Sequence, residues 1–191
     1  MNILVTSDKE SKIAPIREAF IDIFGRATVK GIPAQSVSIA CQPVGPGCAQ
    51  YAASERISST RLMHQHDVPQ NQTMVSVEGF LVEMTPESWF EMSCLVLEDP
   101  LTGLRISTYT QATPVPCEAI NHLTFETPSD YPLRQTGFSM TIGQIMSQKL
   151  AVSHEEWHEK LTGIPRRSTI YLAACCLARL FKDKITRPST N

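Results

Sequence analysis

The sequence predicts an α/β domain in which a central mixed sheet is flanked by helices. The strand-like segments are strongly apolar and lie in the middle of the chain, between residues 73 and 110. Segments with the apolar spacing of helices lie before and after them. The last helical segment is dense in alanine, which indicates close packing on a sheet. Helices on both sides of a strand-rich centre are typical of an α/β fold.

Length and composition predict a single domain. The chain has 191 residues, of which 42% are hydrophobic, and this is enough for one sizeable core. We assign that domain to residues 1–185 and expect residues 186–191 to form a flexible tail. The formal net charge of -2 at pH 7 argues against a nucleic-acid partner and against binding to a membrane surface.

Cysteine usage and hydropathy predict an intracellular protein of the cytoplasm. The six cysteines form no CxxC pair, which is typical of free thiols in a reducing compartment. No cationic segment followed by an apolar run stands at the N-terminus, and no apolar stretch reaches the ~18 residues of a membrane-spanning helix. His154 and His158 are one helical turn apart but lack a third ligand, so we predict no zinc site.

The chain opens with a strand, a polar loop and a helix. Ile3 and Val5 are the apolar residues of the strand. The helix is predicted over Ile13–Phe24 and ends at Gly25, a residue suited to the position after a helix. We expect Pro15 in the first turn of this helix, because its missing N–H costs nothing there.

Lys12 lies close to the predicted start of that helix. The N-terminal dipole of a helix disfavours a cation, while the free N–H groups at the same end attract anions. A lysine at this position therefore indicates a negatively charged ligand nearby. The alternative is an ordinary solvated loop between a strand and a helix.

Two short strands and a second helix are predicted next. The strands are Thr28–Ile32 and Val37–Ile39, and a loop rich in Pro and Gly follows over residues 41–47. The helix runs from about Cys48 to His66. Its packing face consists of small and apolar residues: Ala49, Ala52, Ala53, Ile57 and Leu62.

The rest of the chain contains four predicted strands and then four predicted helices. The strands are Thr73–Val77, Phe80–Met84, Trp89–Leu97 and Leu104–Thr110. Residues 98–103 form a hairpin loop between the last two. The helices are Cys117–Phe125, Ile142–Leu150, His154–Leu161 and Ser168–Lys184.

Several segments, in order along nearly the whole chain, resemble one enzyme family. They are the opening loop with Lys12, Gln42-Pro43-Val44-Gly45, Cys94 to Pro100, Thr110 to Pro116, and Thr162 to Arg167. The chain resembles the non-canonical purine nucleoside triphosphatases, which act on inosine and xanthosine triphosphate. It is most similar to the branch found as the C-terminal domain of a proline-rich, coiled-coil-containing Golgi protein. The resemblance implies an inosine-triphosphatase-like fold.

The resemblance also implies a set of site residues. Members of the family hydrolyse phosphoanhydride bonds with a divalent metal, Mg²⁺ or Mn²⁺, held by carboxylates. Glu78 matches a strand carboxylate that serves both catalysis and metal binding. The residues implied in binding the phosphates or the nucleotide are Thr6, Ser7, Lys9, Lys12 and Arg167.

Three features depart from the active family. Pro46–Cys48 stands where active members have acidic residues, and Val82 replaces a second carboxylate. Phe80 puts a ring where a glycine makes room. Glu83 is one residue beyond Val82 and faces the other side of a regular strand. One carboxylate seldom holds Mg²⁺ in catalytic register, so these changes predict a degenerate site.

We therefore predict a non-catalytic binding or regulatory domain, a pseudoenzyme that retains a phosphate or nucleotide site. The alternative is an active inosine or xanthosine triphosphate phosphatase that depends on Mg²⁺ or Mn²⁺. A third hypothesis is a dimerising scaffold. The resemblance implies a purine nucleotide or phosphate as ligand and a homodimer as assembly. It also implies work at the Golgi or at endoplasmic-reticulum exit sites, with protein kinase A as a protein partner.

Overall fold

A computed structural model describes residues 1–186 of the chain. Its strands are β1 Asn2–Val5, β2 Thr28–Gly31, β3 Gln42–Pro43, β4 Thr73–Thr85, β5 Ser88–Asp99, β6 Leu104–Tyr109, β7 Thr113–Val115 and β8 Gly137–Phe138. Its helices are α1 Glu10–Phe24, α2 Pro46–Met63, α3 Cys117–Glu126, α4 Ile142–Leu150, α5 Trp157–Thr162 and α6 Arg166–Thr186. A single 3₁₀ turn, Arg134–Thr136, precedes β8 within these residues.

The main sheet is mixed, as predicted. Its order is β2-β1-β4-β5-β6, and the short β7 pairs with the first residues of β5. β1 runs parallel to β2 and β4, whereas β4, β5 and β6 are joined by antiparallel pairs. β3 and β8 form a separate two-stranded sheet. The predicted α/β class, with helices around a central mixed sheet, is confirmed.

The sheet carries helices on both faces. Successive side chains of a strand point to opposite faces, so β4 directs Val75 toward α1 and α6 and Phe80 toward α2. On the first face the rings of Phe20 and Phe24 are 5.8 Å apart, and those of Phe24 and Phe181 are 6.2 Å apart. A third apolar cluster lies beneath α3, α4 and α5. Helices from both ends of the chain thus share one core.

α1 begins at Glu10, earlier than predicted. Lys9 has an extended backbone and directly precedes the helix, so Pro15 is the sixth helical residue and lies inside the helix. The expectation that Pro15 occupies the first turn is therefore wrong, and this turn of the helix lacks one N–H donor. The predicted end is confirmed, since Gly25 has a φ of 76° and its N–H donates to the carbonyl of Ile21 over 2.7 Å.

The predicted strand Val37–Ile39 is wrong. This segment forms bends between β2 and β3, and the Val37 side chain is 74% exposed. The hydroxyl groups of Ser36 and Ser38 both donate to the carboxylate of Glu55 on α2. Side-chain hydrogen bonds of this kind hold the backbone in a turn and compete with pairing in a sheet.

α2 begins at Pro46 and ends at Met63, so its predicted bounds are shifted toward the N-terminus. Pro46 fits the first helical position, where proline needs no N–H donor. Leu62 was predicted on the packing face but is 73% exposed, and Thr60 is buried there instead. Thr60 follows Ile57 by three residues, which keeps it on the same side of the helix.

The two strands predicted at Thr73–Val77 and Phe80–Met84 form one continuous strand, β4. β5 pairs with it across the interruption, with Glu78 opposite Cys94 and Gly79 opposite Ser93. Because β5 supplies partners for the whole length, the glycine does not end the strand. Glu78 is therefore held in the middle of a paired strand rather than in a loop.

The last helices follow the predictions closely. α4 has the predicted bounds, α5 begins later than predicted at Trp157, and α6 begins at Arg166, two residues before the predicted Ser168. Of the predicted tail, Thr186 is the last residue of α6. Residues 187–191 lie outside the described part of the chain.

Candidate functional site

A cleft of about 230 Å³ lies where β1 ends and β4 continues past it. β1 pairs with β4 only as far as Val75, so the following backbone groups of β4 face the loop after β1. Thr6 N–H donates to the Val75 carbonyl over 3.0 Å, and Lys12 Nζ donates to the Val77 carbonyl over 2.9 Å. In α/β folds, the carboxyl ends of parallel strands are the usual place for a ligand site.

The predicted phosphate loop contributes its two lysines to the cleft. Lys9 and Lys12 line it, with Lys9 exposed and Lys12 half-buried. Thr6 is buried and donates its hydroxyl to Ser76 over 2.8 Å, while the Ser7 hydroxyl accepts from Lys9 N–H over 3.2 Å. The hydroxyl groups of Thr6 and Ser7 are thus engaged by the protein itself.

Lys12 is the amine at the centre of this site. Its pKa is lowered to about 8, chiefly because burial removes the amine from water and disfavours the charged form. The Glu78 carboxylate opposes this shift, whereas the guanidinium groups of Arg166 and Arg56 and the amine of Lys9 contribute to it. A lysine with this pKa changes its charge just above neutral pH.

Glu78, the predicted catalytic residue and metal ligand, is 7% exposed and forms an ion pair with Arg56. Arg56 Nε lies 2.8 Å from one carboxylate oxygen and Nη2 lies 3.3 Å from the other. Arg56 extends from α2 and is also held by a hydrogen bond to the Ala34 carbonyl. Both oxygens of Glu78 therefore face one guanidinium.

A second buried carboxylate, Glu91 of β5, was missed by the sequence analysis. Arg166 Nη2 lies 3.2 Å from Glu91 Oε1 and 3.0 Å from Ser93 Oγ, and His158 Nε2 lies 3.0 Å from Glu91 Oε2. Burial alone would raise the pKa of Glu91, but Arg166 and the hydrogen bond from His158 outweigh it and hold that pKa below its usual range. In the sequence, a charged residue inside an otherwise apolar strand could have marked Glu91 as a site residue.

Gly79 makes room for this second ion pair. A Cβ atom at residue 79 would lie 2.8 Å from Arg166 Nη2 and 3.1 Å from Glu91 Oε1. Phe80, the residue after Gly79, was expected to crowd the site. Its ring is instead buried against α2, 5.9 Å from the ring of Tyr109. It does not line the cleft.

Arg167, the predicted phosphate ligand, lies outside the cleft. It pairs with Glu18 of α1 over 2.6 Å, and its side chain is 54% exposed. The preceding residue, Arg166, enters the cleft instead. Successive helical residues are about 100° apart around the axis, so only one of two adjacent arginines can face inward.

Glu83 stays outside the site, as the alternation of strand residues predicted. Its side chain is exposed, and its carboxylate accepts the Glu87 N–H over 2.8 Å. A register shift does occur in β4, but it lies beyond Glu83, between residues 83 and 85. The irregularity therefore does not turn Glu83 toward the cleft.

The donor set of the cleft does not fit a divalent metal. Mg²⁺ prefers several carboxylate or water oxygens around one point. Glu78 lies opposite Cys94 and Glu91 lies opposite Leu81, so the two carboxylates leave the sheet on opposite faces. Each is already paired with an arginine. Within residues 1–186 no group of three or more His, Cys, Asp or Glu side chains is placed to hold a metal ion.

The charge of the cleft favours an anion. Its lining has four basic side chains, Lys9, Lys12, Arg56 and Arg166, against three carboxylates, Glu78, Glu91 and Glu155. The first helical residues of α1 also lie on its wall. Backbone N–H groups at a helix start add a favourable field for negative charge.

No protein-family model matches the chain. Among solved structures, the fold is similar to that of protein VC0702 from Vibrio cholerae, with a TM-score of 0.72 and 16% sequence identity. The similarity covers 98% of this chain and 99% of that protein. At this identity the comparison shows the common fold of the two proteins.

Within residues 1–186, no helix is both long enough and apolar enough to cross a membrane.

Proposed function

We propose that this domain binds a phosphate-bearing anion and does not hydrolyse nucleoside triphosphates. One observation carries the proposal: both buried carboxylates of the cleft are paired with arginines, and lysine amines remain beside them. A metal would have to displace Arg56 or Arg166 to reach either buried carboxylate. An anion needs no such displacement, because Lys9 and Lys12 are already at the wall of the cleft. The resemblance to purine nucleoside triphosphatases supports a phosphate-bearing ligand in particular.

A ligand with one phosphate group suits this cleft better than a triphosphate. A metal ion would normally bridge a triphosphate to carboxylates, and both buried carboxylates of the cleft are already paired with arginines. Arginine and lysine bind phosphate directly through charge-assisted hydrogen bonds. We therefore expect inorganic phosphate, a purine mononucleotide or a phosphorylated partner.

Calorimetric titration with phosphate and with inosine monophosphate tests the proposal. We expect binding without added metal, weakened about 10-fold or more in Lys12→Met, because a charged hydrogen bond contributes about 1.5–3 kcal/mol. Lys30→Met is the matched control, since Lys30 is exposed on β2 away from the cleft. An unchanged affinity in Lys12→Met, with both variants folded by circular dichroism, would contradict the proposal.

The alternative, an active metal-dependent hydrolase, rests on the shared cleft of Lys12 and Glu78. Release of Glu78 from Arg56 would be its first requirement. A hydrolysis assay with inosine or xanthosine triphosphate and either Mg²⁺ or Mn²⁺ distinguishes the two functions. Turnover that requires metal and is lost in Glu78→Gln would establish the enzyme and overturn our proposal.

The cellular setting and the assembly remain predictions from the resemblance. They are a homodimer, an association with the Golgi or with endoplasmic-reticulum exit sites, and contact with protein kinase A. Light scattering after size-exclusion chromatography measures the mass and tests the homodimer. Imaging of the tagged protein together with a Golgi marker tests the location.

A further inference from the structure

The cleft shares lining residues with two further cavities, one of about 670 Å³ and one of about 320 Å³. All three are lined by Lys12. The larger cavity also shares Lys9 and Arg56 with the cleft, and the smaller one shares Arg166 and Glu155. The three cavities therefore meet at Lys12, and we call them together the groove.

The larger end of the groove presents apolar side chains to solvent. Val37 is 74% exposed and Met63 is 75% exposed, and both line the cavity together with Pro33. The same wall also carries the basic side chains of Lys9 and Arg56. Exposed apolar groups beside basic groups suit a peptide with apolar and negative side chains.

The smaller end has a different character. Ala14 and Pro165 line it, but Ile170 is only 1% exposed and offers little apolar surface. Most of the other lining residues are charged and of both signs: Glu10, Lys12, Glu155, Arg166 and Arg167. The groove is thus apolar at its larger end, and this matches a chain that carries an apolar group beside a negative one.

The walls offer little to a purine base. Neither end cavity has a Phe, Tyr or Trp in its lining among the described residues, and Trp157 of the inner cleft is only 1% exposed. Proteins usually hold bases by stacking on aromatic rings. The lining therefore favours a phosphorylated peptide over a nucleotide.

We propose that the groove binds an extended segment of a partner protein, with a phosphorylated side chain at Lys12 and an apolar side chain against Val37 and Met63. The proposal rests on the phosphate-binding function of the same cleft. It adds the class of ligand and a role for the larger end cavity.

Fluorescence polarisation with a short labelled alanine peptide tests this proposal. The peptide has phosphoserine at its centre and a leucine two residues away on each side. We expect it to bind about 10-fold or more tightly than its unphosphorylated form, since charged hydrogen bonds are lost without the phosphate. It should also bind more tightly than phosphate or inosine monophosphate, because only the peptide buries apolar surface at the larger end.

Two neighbouring exposed residues of α2 give a matched pair of variants. Met63→Ser should weaken peptide binding about 3- to 10-fold through lost apolar contact and leave the affinity for phosphate unchanged. Leu62→Ser removes an equally exposed side chain, at 73%, that does not line the groove. It should change neither affinity.

The outcomes separate this proposal from the function on which it rests. If phosphate binds with the expected dependence on Lys12 but the phosphopeptide binds no better, the groove proposal is wrong and the phosphate site stands. Equal effects of Met63→Ser and Leu62→Ser would also overturn it. If phosphate and phosphopeptide both fail to bind, both proposals fail.

Discussion

Two adjacent arginines form ion pairs in different surroundings, one in the cleft and one at the surface. Arg166 reaches the buried carboxylate of Glu91, and its side chain is 23% exposed. Arg167 pairs with Glu18 in a region where both side chains are more than half exposed. Buried pairs are costly to break because one charge is left without a partner, whereas water replaces the partner in an exposed pair. The contribution of an ion pair to stability therefore depends mainly on how deeply the pair is buried.

The largest expected difference is between Arg166→Met and Arg167→Met. We expect Arg166→Met to lower the free energy of unfolding by about 3–5 kcal/mol, because Glu91 keeps its charge with only His158 as partner. Arg167→Met should cost less than about 1 kcal/mol. Urea unfolding of the two variants measures both values. Similar losses at the two positions would break the comparison.

The carboxylate side of the same two pairs gives a pH-dependent test. Because the fold holds the pKa of Glu91 below its usual range, its ionised form contributes stability above the ordinary carboxyl pKa of about 4.3. That contribution is lost as pH falls through the lower pKa of the folded state.

We therefore expect Glu91→Gln to be less stable than the natural protein at pH 7 by about 1–3 kcal/mol. The gap should close as the pH falls below ~4. Glu18→Gln is the control at the exposed pair and should stay within about 0.5 kcal/mol of the natural protein at every pH. Thermal unfolding across the pH range gives both curves. A gap for Glu91→Gln that widens in acid would contradict the assignment.

Two glycines sharpen the contrast between a crowded and an open position. Gly79→Ala puts a Cβ atom 2.8 Å from Arg166 Nη2, and we expect a loss of about 1–3 kcal/mol from the forced shift. Gly47, in the first turn of α2, has no atom within 4 Å of such a Cβ. Gly47→Ala should be neutral or stabilise by up to ~1 kcal/mol. The midpoint of chemical denaturation should therefore fall for Gly79→Ala and stay the same or rise for Gly47→Ala.

The smallest expected effect is on the pH dependence of anion binding. Lys12 loses its proton as the pH rises through about 8, so its attraction for an anion weakens above that pH. With N-acetyl-phosphoserine amide as ligand, whose phosphate is fully charged above ~7, we expect affinity to fall by about 10-fold toward pH 9.5. Lys12→Met should bind weakly at all these pH values, and the exposed Lys30→Met should follow the natural protein. A flat profile for the natural protein would exclude Lys12 as a ligand.

The fold could be predicted from the sequence because its signals are local. The apolar spacing typical of a strand or a helix is visible within a few residues in β1, α1, the central strands and α4. Lys12 lies near the start of α1, and Glu78 lies near the middle of β4. The prediction of a separate strand at Val37–Ile39 was wrong. Ser36 and Ser38 bend this segment by donating hydrogen bonds to Glu55, which is distant in the sequence.

The site could be predicted only in part because it is made by tertiary contacts. The choice between Arg166 and Arg167 depends on the start and the rotation of α6, and a shift of one residue exchanges the inward and outward positions. Glu91 and His158 are 67 residues apart and show no shared spacing. A lone glutamate between Phe90 and Met92 was the signal that could have marked the position.

The packing of α1 against α6 has a consequence for the order of folding. α1 lies near the beginning of the chain and α6 near its end, yet Phe24 and Phe181 meet in one core. Contacts between such distant segments slow folding, because a long loop must close before they form. During synthesis the apolar face of α1 remains without its partner until α6 has left the ribosome. Arg166 arrives with that helix, so the cleft is completed only after α6 has been translated.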